Sequence, residues 1–151
     1  MKSPEAWMAQ ALALAKEAAE EGEIPVGCVI VDDNGALLGY GRNRRETQHD
    51  ATAHAEIEAI RMACAKKGDW HLDDCTLYVT LEPCPMCAGA ILNARLKTVV
   101  YGAREPKSGS LGSVIDLYCE PYGYHPKVYG GVCKDECAAL MRSFFEGLRL
   151  P

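Results

Sequence analysis

The sequence predicts an α/β protein in which helices are layered on a mixed sheet of five strands. Three observations predict it. Apolar residues recur at helical spacing near both ends of the chain, and between them short β-branched runs alternate with helical stretches in the order β-β-α-β-α-β-β-α. Hydrophobic residues make up 48% and charged residues 25% of the 151, the balance of a protein with a real core. A chain of this length fits one globular domain, residues 1–151. It buries roughly two thirds of its unfolded surface, so it does not need a metal merely to fold.

Each element has its own signal. Trp7, Ala11, Leu14, Ala15 and Ala18 form the stripe of a first helix, opened by Ser3-Pro4 and stopped at Gly22. Ile24 to Val31 reads as a strand, and Asp32-Asp33-Asn34-Gly35 turns it into a second, Ala36 to Gly41. After the polar loop from Arg42 to Ala53, a helix is expected from about Thr52 to Lys67. Ile57, Ile60, Ala63 and Cys64 are its apolar stripe, and Gly68 stops it. Cys75 to Leu81 reads as a buried strand, Pro85 to Ala94 as a short helix and Lys97 to Gly102 as a strand. Residues 105–124, rich in Gly, Ser and Pro, carry no periodic signal. Lys127 to Tyr129 is a last strand, and Asp135 to Gly147 a helix expected to turn Ala138, Leu140, Met141 and Phe144-Phe145 mostly inward. Trp7 and Trp70 read as packing residues.

The net charge of −5 argues against a protein that coats nucleic acid along its whole surface. It leaves room for a local basic patch from Arg42, Arg44 and Arg45, or from Arg104 and Lys107, although on charge alone these read equally well as solvated side chains. The apolar stretch Met8 to Ala15 contains Gln10 and has charged flanks, so it reads neither as a targeting segment nor as a membrane span. With no secretion signal, the eight cysteines read as free or metal-bound thiols in a reducing, cytosolic compartment.

Chemistry concentrates in two places. His54-Ala55-Glu56 opens the helix after the polar loop, and Pro83-Cys84-Pro85-Met86-Cys87 follows downstream. Cys84 and Cys87 share one face of a helix start, where the helix dipole favours the thiolates that bind metal. One histidine and two cysteines leave the fourth position of a tetrahedral zinc open. Two thiolates weaken zinc as a Lewis acid, so a carboxylate base beside its water is required, and Glu56 is placed to approach without binding. Two other readings use the same residues. In one, zinc is structural and Cys75 or His71 completes a closed site; in the other, Cys84 and Cys87 are a redox pair. The first leaves Glu56 without a role, and the second explains neither His54 nor Glu56. A second metal site from Cys133, Cys137 and His125 is a weaker possibility. Cys28, Cys64 and Cys75 read as small core residues, and His49 as capping a turn or lining the approach to the site.

His-x-Glu followed by Pro-Cys-x-x-Cys resembles the signature of the cytidine deaminase superfamily. Within it the chain is similar over nearly its whole length to bacterial tRNA-specific adenosine deaminases. The similarity is carried by Ile24-Pro25-Val26-Gly27, Gly41-Arg42-Asn43-Arg44, His49-Asp50 and Thr52 through Ile57, then by Thr76 through Cys84 and Met86 through Ala90. It continues in Gly102-Ala103-Arg104, Lys107, Gly109, Asp135 through Leu140 and Phe144-Phe145.

The resemblance implies a three-layer α/β/α cytidine-deaminase-like fold with a five-stranded mixed sheet. It implies hydrolytic deamination of adenosine to inosine at the wobble position of a tRNA anticodon, with one Zn2+ per chain held by His54, Cys84 and Cys87 and with Glu56 as proton shuttle. It also implies that Asn43, Ala55 and Pro83 bind the inserted base, that Arg42, Arg44, Arg104, Glu105 and Lys107 are tRNA contacts, and that the protein is a homodimer in the cytoplasm. Two features depart from the family. Glu105 stands where Asp is frequent, and the end Glu146-Gly147-Leu148-Arg149-Leu150-Pro151 is not strongly basic. A deaminase of free guanine or cytosine would use the same zinc motif, and a zinc-stabilised binding module without catalysis would keep the ligands but not need Glu56.

Overall fold

A computed structural model describes residues 2–149, the last of them by its backbone alone. Leu150 and Pro151, the end of the tail discussed above, lie outside the described residues. The elements are α1 (Pro4–Glu20), β1 (Gly27–Asp32), β2 (Leu37–Arg42), α2 (Ala55–Lys67), β3 (Cys75–Leu81), α3 (Pro85–Asn93), β4 (Thr98–Ala103), β5 (Lys127–Gly130) and α4 (Lys134–Arg149), with a single 3-10 turn at Leu117–Cys119.

The five strands form one mixed sheet in the order β2-β1-β3-β4-β5. β1 runs antiparallel to β2 and to β3, whereas β3, β4 and β5 are mutually parallel neighbours. Alternate residues of each strand enter different cores. Cys28, Ile30, Leu77, Val79 and Val99 pack with Ala55, Ala59 and Ala63 of α2 and Ala88 and Ile91 of α3. Val29, Val31, Tyr78 and Val100 pack on the other side with Trp7, Met8 and Ala11 of α1 and Cys137 of α4. Helices therefore cover both faces, the three-layer arrangement, and the near-continuous apolar strands follow from burial on both sides.

Local chemistry sets the boundaries. Ser3 caps α1 through its side chain, with Pro4 in the first turn. The β1–β2 turn is held by the Asp32 carboxylate, which accepts the Asn34 and Ala36 N–H groups at 2.9 Å each. Three expectations need correction. The first strand begins at Gly27, not Ile24, because the carbonyls of Ile24 and Val26 serve Asn43 and not the sheet ladder. The second helix begins at Ala55, not Thr52, because the Asp50 carboxylate takes the Thr52 N–H at 2.8 Å and hydroxyl at 2.7 Å and holds that segment in a turn. Lastly, α4 packs on β4 and α1 along one side only. Cys137 is buried, but Phe145 is 40% exposed and Ala138, Leu140 and Met141 are half-buried.

Trp7 packs in the core as expected, whereas Trp70 is 56% exposed and stacks on His71 with ring centres 3.6 Å apart. All eight cysteines are free. No helix of the described residues is long and apolar enough to cross a membrane.

Candidate active site

His54 and Cys84 occupy equivalent places. Each is the N-cap of a helix, His54 of α2 and Cys84 of α3, and each has the extended backbone of a cap. Neither side chain makes the usual capping hydrogen bond, so both are free to point elsewhere. Pro85 in the first turn of α3 starts the helix sharply after β3, which brings Cys87 alongside Cys84. The positive ends of two helices thus converge on one spot.

There the Nδ1 of His54 lies 3.7 Å from the Cys84 sulfur and 3.5 Å from the Cys87 sulfur, and the ligand atoms of all three residues lie within 4.8 Å of one another. Tetrahedral zinc with bonds of about 2.3 Å to sulfur and about 2.05 Å to nitrogen requires an S···N separation of about 3.6 Å. The donors fit zinc by type and by spacing. Among the described residues, this is the only group of three or more His, Cys, Asp or Glu side chains so arranged. The proposed fourth ligands of a closed site are engaged elsewhere: His71 with Asp69 at 3.0 Å, and Cys75 with Asp74 at 3.3 Å. The second metal site is also corrected, since His125 faces the Pro126 carbonyl and forms no such group with Cys133 and Cys137.

The charges of this cluster are interlocked. A hydrogen bond from Cys87 holds the Cys84 thiol down at about 4, and burial only partly opposes it. The same contact, with burial, pushes Cys87 up. His54 is raised, first by its contact with Cys84. Glu56, second residue of α2, is 4% exposed; burial pushes its carboxyl up to about 7, and the Cys84 charge adds to this against the pull of its own backbone N–H and of His54. A carboxyl poised there can take and return a proton near neutral pH.

His54, Ala55, Glu56 and Cys84 form part of the lining of a cavity of about 140 Å³ whose walls come from Ile24, Val26, Asn43, Arg45, Leu81, Glu82, Glu105 and Ser108. That is below the about 300–1,000 Å³ of pockets for drug-sized ligands and suits one small ring system. Asn43, 8% exposed, donates from Nδ2 to the Ile24 carbonyl at 3.2 Å and accepts the Arg45 N–H at 3.2 Å. An amide has two donors and two acceptor sites, so one of each remains. Pro83 is buried in the turn between β3 and α3, and its carbonyl accepts the Ser110 N–H at 2.9 Å.

The five candidate tRNA contacts separate. Arg104, Glu105 and Lys107 line a neighbouring hollow of about 530 Å³, which shares Leu81 and Glu105 with the first. Arg42 is instead ion-paired with Glu21 at 2.6 Å and Glu17 at 3.3 Å. Arg44 lies 3.3 Å from Glu58 without hydrogen-bond geometry. His49 is exposed on a left-handed backbone (φ 50°).

Sequence reasoning named Arg45 only as part of a basic stretch, not as lining the cavity, and missed Ser108 and two buried carboxylates. Glu23, 1% exposed, accepts the Glu46 N–H at 3.1 Å, the Thr47 N–H at 2.7 Å and the Thr47 hydroxyl at 2.5 Å, and so braces the loop that leads to His54. Glu82, 2% exposed, does the same for the loop after β4. No sequence pattern marks either, because most of their donors are backbone N–H groups and all lie in distant segments.

Comparison with known proteins agrees with this geometry. Residues 1–103 match the family described as the cytidine and deoxycytidylate deaminase zinc-binding region. The chain is 43% identical over 150 residues to a tRNA-specific adenosine deaminase of Bacillus subtilis, covering 99% of this chain and 92% of that one. It is also 51% identical over 142 residues to a tRNA(Ile)-lysidine synthase of Deinococcus radiodurans, but spans only 24% of that protein's length. A solved structure from work on A-to-I editing by tRNA:A34 deaminases at the wobble position of transfer RNA matches with a TM-score of 0.85 at 43% identity, over 89% of this chain and 98% of that one. A guanine deaminase of Nitrosomonas europaea matches with a TM-score of 0.84 at 26% identity, over 95% of this chain and 85% of that one. The chain belongs to the cytidine and deoxycytidylate deaminase family, and its similarity over nearly full length places it beside the tRNA-specific adenosine deaminases.

Proposed function

We propose that this chain, read as one deaminase domain over residues 1–151, hydrolyses adenosine to inosine at the wobble position of a tRNA anticodon. The observation that carries the chemistry is the buried Glu56 carboxyl beside the His54, Cys84 and Cys87 group on the floor of a cavity with room for one base. The near full-length similarity to tRNA-specific adenosine deaminases supports the choice of substrate.

His54, Cys84 and Cys87 would hold zinc, which would supply the Lewis acidity that makes a water easier to deprotonate. Glu56 takes a proton from the attacking water and hands it to the ring nitrogen, then takes the second proton from the new hydroxyl and hands it to the departing amine. One water is consumed, and one ammonia leaves for each inosine formed. Asn43 uses its remaining donor and acceptor on the base edge, and the backbone of Ala55 and the turn at Pro83 hold the base flat. A cavity of this size admits a base only once it has left its stack, which an anticodon loop permits. Arg104, Glu105 and Lys107 border the hollow through which the neighbouring nucleotides run, their phosphates drawn by the two cations. With Arg42 and Arg44 ion-paired inside the chain, their part in holding tRNA is the smaller one. The free thiols and a tRNA substrate support a cytoplasmic location, and the family resemblance supports a homodimer.

The deciding assay incubates the zinc-loaded protein with a transcribed tRNA whose anticodon begins with adenosine, alongside free guanine and cytosine. Inosine at that position alone is the expected product. Turnover of the free bases with none on the tRNA would transfer the reading to a small-molecule deaminase, for which the structural similarity to the guanine deaminase is the supporting observation.

A further inference from the structure

The loop after β4 supplies Glu105 and Ser108 to the catalytic cavity, and its regular structure amounts to one bridge, between Leu111 and Asp116, and the 3-10 turn at Leu117–Cys119. A single side chain gathers its residues 105–113. Glu82 leaves the end of β3 two residues before Cys84, and its carboxylate is 2% exposed. One oxygen accepts the Glu105 N–H at 3.0 Å and the Ser113 hydroxyl. The other accepts the Leu111 and Ser113 N–H groups at 3.0 Å each. Four donors on two oxygens, all from residues 105–113, form a cradle with nothing left over for solvent. Gly109 completes it: a Cβ there would clash with the Glu82 carboxyl carbon and lie 2.5 Å from the Glu105 carbonyl. The turn holding Cys84 is tied to the same loop by the Ser110 N–H on the Pro83 carbonyl.

We infer that Glu82 is a positioning residue, whose carboxylate fixes the Glu105–Ser108 wall of the cavity relative to the Cys84 turn and thereby sets how tightly the macromolecular substrate is held. This inference rests on the deaminase reading above. Although Glu82 borders the cavity, its carboxylate oxygens are taken up by donors of residues 105–113, so it acts through the loop. A neutral amide is a poor substitute, because its NH2 group would confront the Leu111 and Ser113 N–H donors.

The test uses Glu82→Gln, Gly109→Ala and the double variant, each zinc-loaded, with the anticodon stem-loop as substrate. Glu82→Gln should raise KM for the RNA about tenfold, with kcat and the zinc content within about threefold of wild type. Hydrogen exchange should speed up at residues 109–113 while α2 and α3 stay protected. Gly109→Ala, which keeps the carboxylate but displaces the loop, should give the same split. The double variant should be no worse than the poorer single one, because both break one contact. An unchanged KM, additive effects of the two substitutions, or loss of zinc with the loop still protected would each overturn the inference. A wild-type chain that leaves the RNA untouched defeats the functional reading instead, and the exchange measurement then still decides whether Glu82 holds the loop.

Discussion

The backbone of Gly41 lies so close to Ala55 that a Cβ on it would sit 2.5 Å from the Ala55 carbonyl oxygen, with the Glu58 Cβ at 2.7 Å. Strand β2 and the first turn of α2 are in direct backbone contact at the turn that carries His54 and Glu56. Gly41→Ala should therefore destabilise the protein by about 1–3 kcal/mol, the cost of overpacking a dense interior. It should also lower kcat by shifting Glu56. Urea unfolding beside steady-state kinetics checks both; a variant as stable and as active as wild type would show that α2 can move aside freely.

Glu56→Ala should leave one zinc per chain bound and cut kcat about 10²–10⁴-fold, the range a general acid–base contributes. Metal analysis of the purified variant separates this from loss of the ion. A variant that stays active, or that loses zinc, contradicts the role given to Glu56.

Removing the metal should silence the enzyme without unfolding it. Both cores are built from side chains outside the ligand group apart from the neighbouring Ala55 and Ala88, so far-UV circular dichroism should survive a chelator and activity should return with zinc. Collapse of the dichroism on chelation would mean that the ion holds the fold together.

The two bracing carboxylates predict acid sensitivity. Burial raises Glu23 and Glu82, but the hydrogen bonds from Thr47 and Glu46 to the one, and from Ser113, Glu105 and Leu111 to the other, outweigh it and hold both below the usual 4.5. A folded-state value below the unfolded one contributes stability that is complete above about pH 4.5 and is lost as pH falls through the folded value. Glu82→Gln should cost about 1–3 kcal/mol at pH 7, with its donors left unmatched. The gap to wild type should narrow below pH 4. Denaturant midpoints measured across pH 3–7 give the answer, and parallel curves for the two proteins would refute it.

Read alone, the sequence determined every helix and strand, because each carries a local periodicity and a cap or breaker: Ser3-Pro4, Asn34-Gly35, Gly68, Pro85. It also singled out His54, Cys84 and Cys87, the group that the structure brings together, since His-x-Glu and Cys-x-x-Cys are short-range patterns whose spacing is itself the signal. What only the tertiary structure decided depends on partners far apart along the chain. Ile24 and Val26 left the first strand because Asn43 claimed their carbonyls. Arg42 was spent on Glu17 and Glu21, a helix away. Phe145 stayed exposed because α4 packs along one side only. Glu23 and Glu82 found their places through backbone N–H groups, which every residue but proline possesses and no sequence pattern can single out.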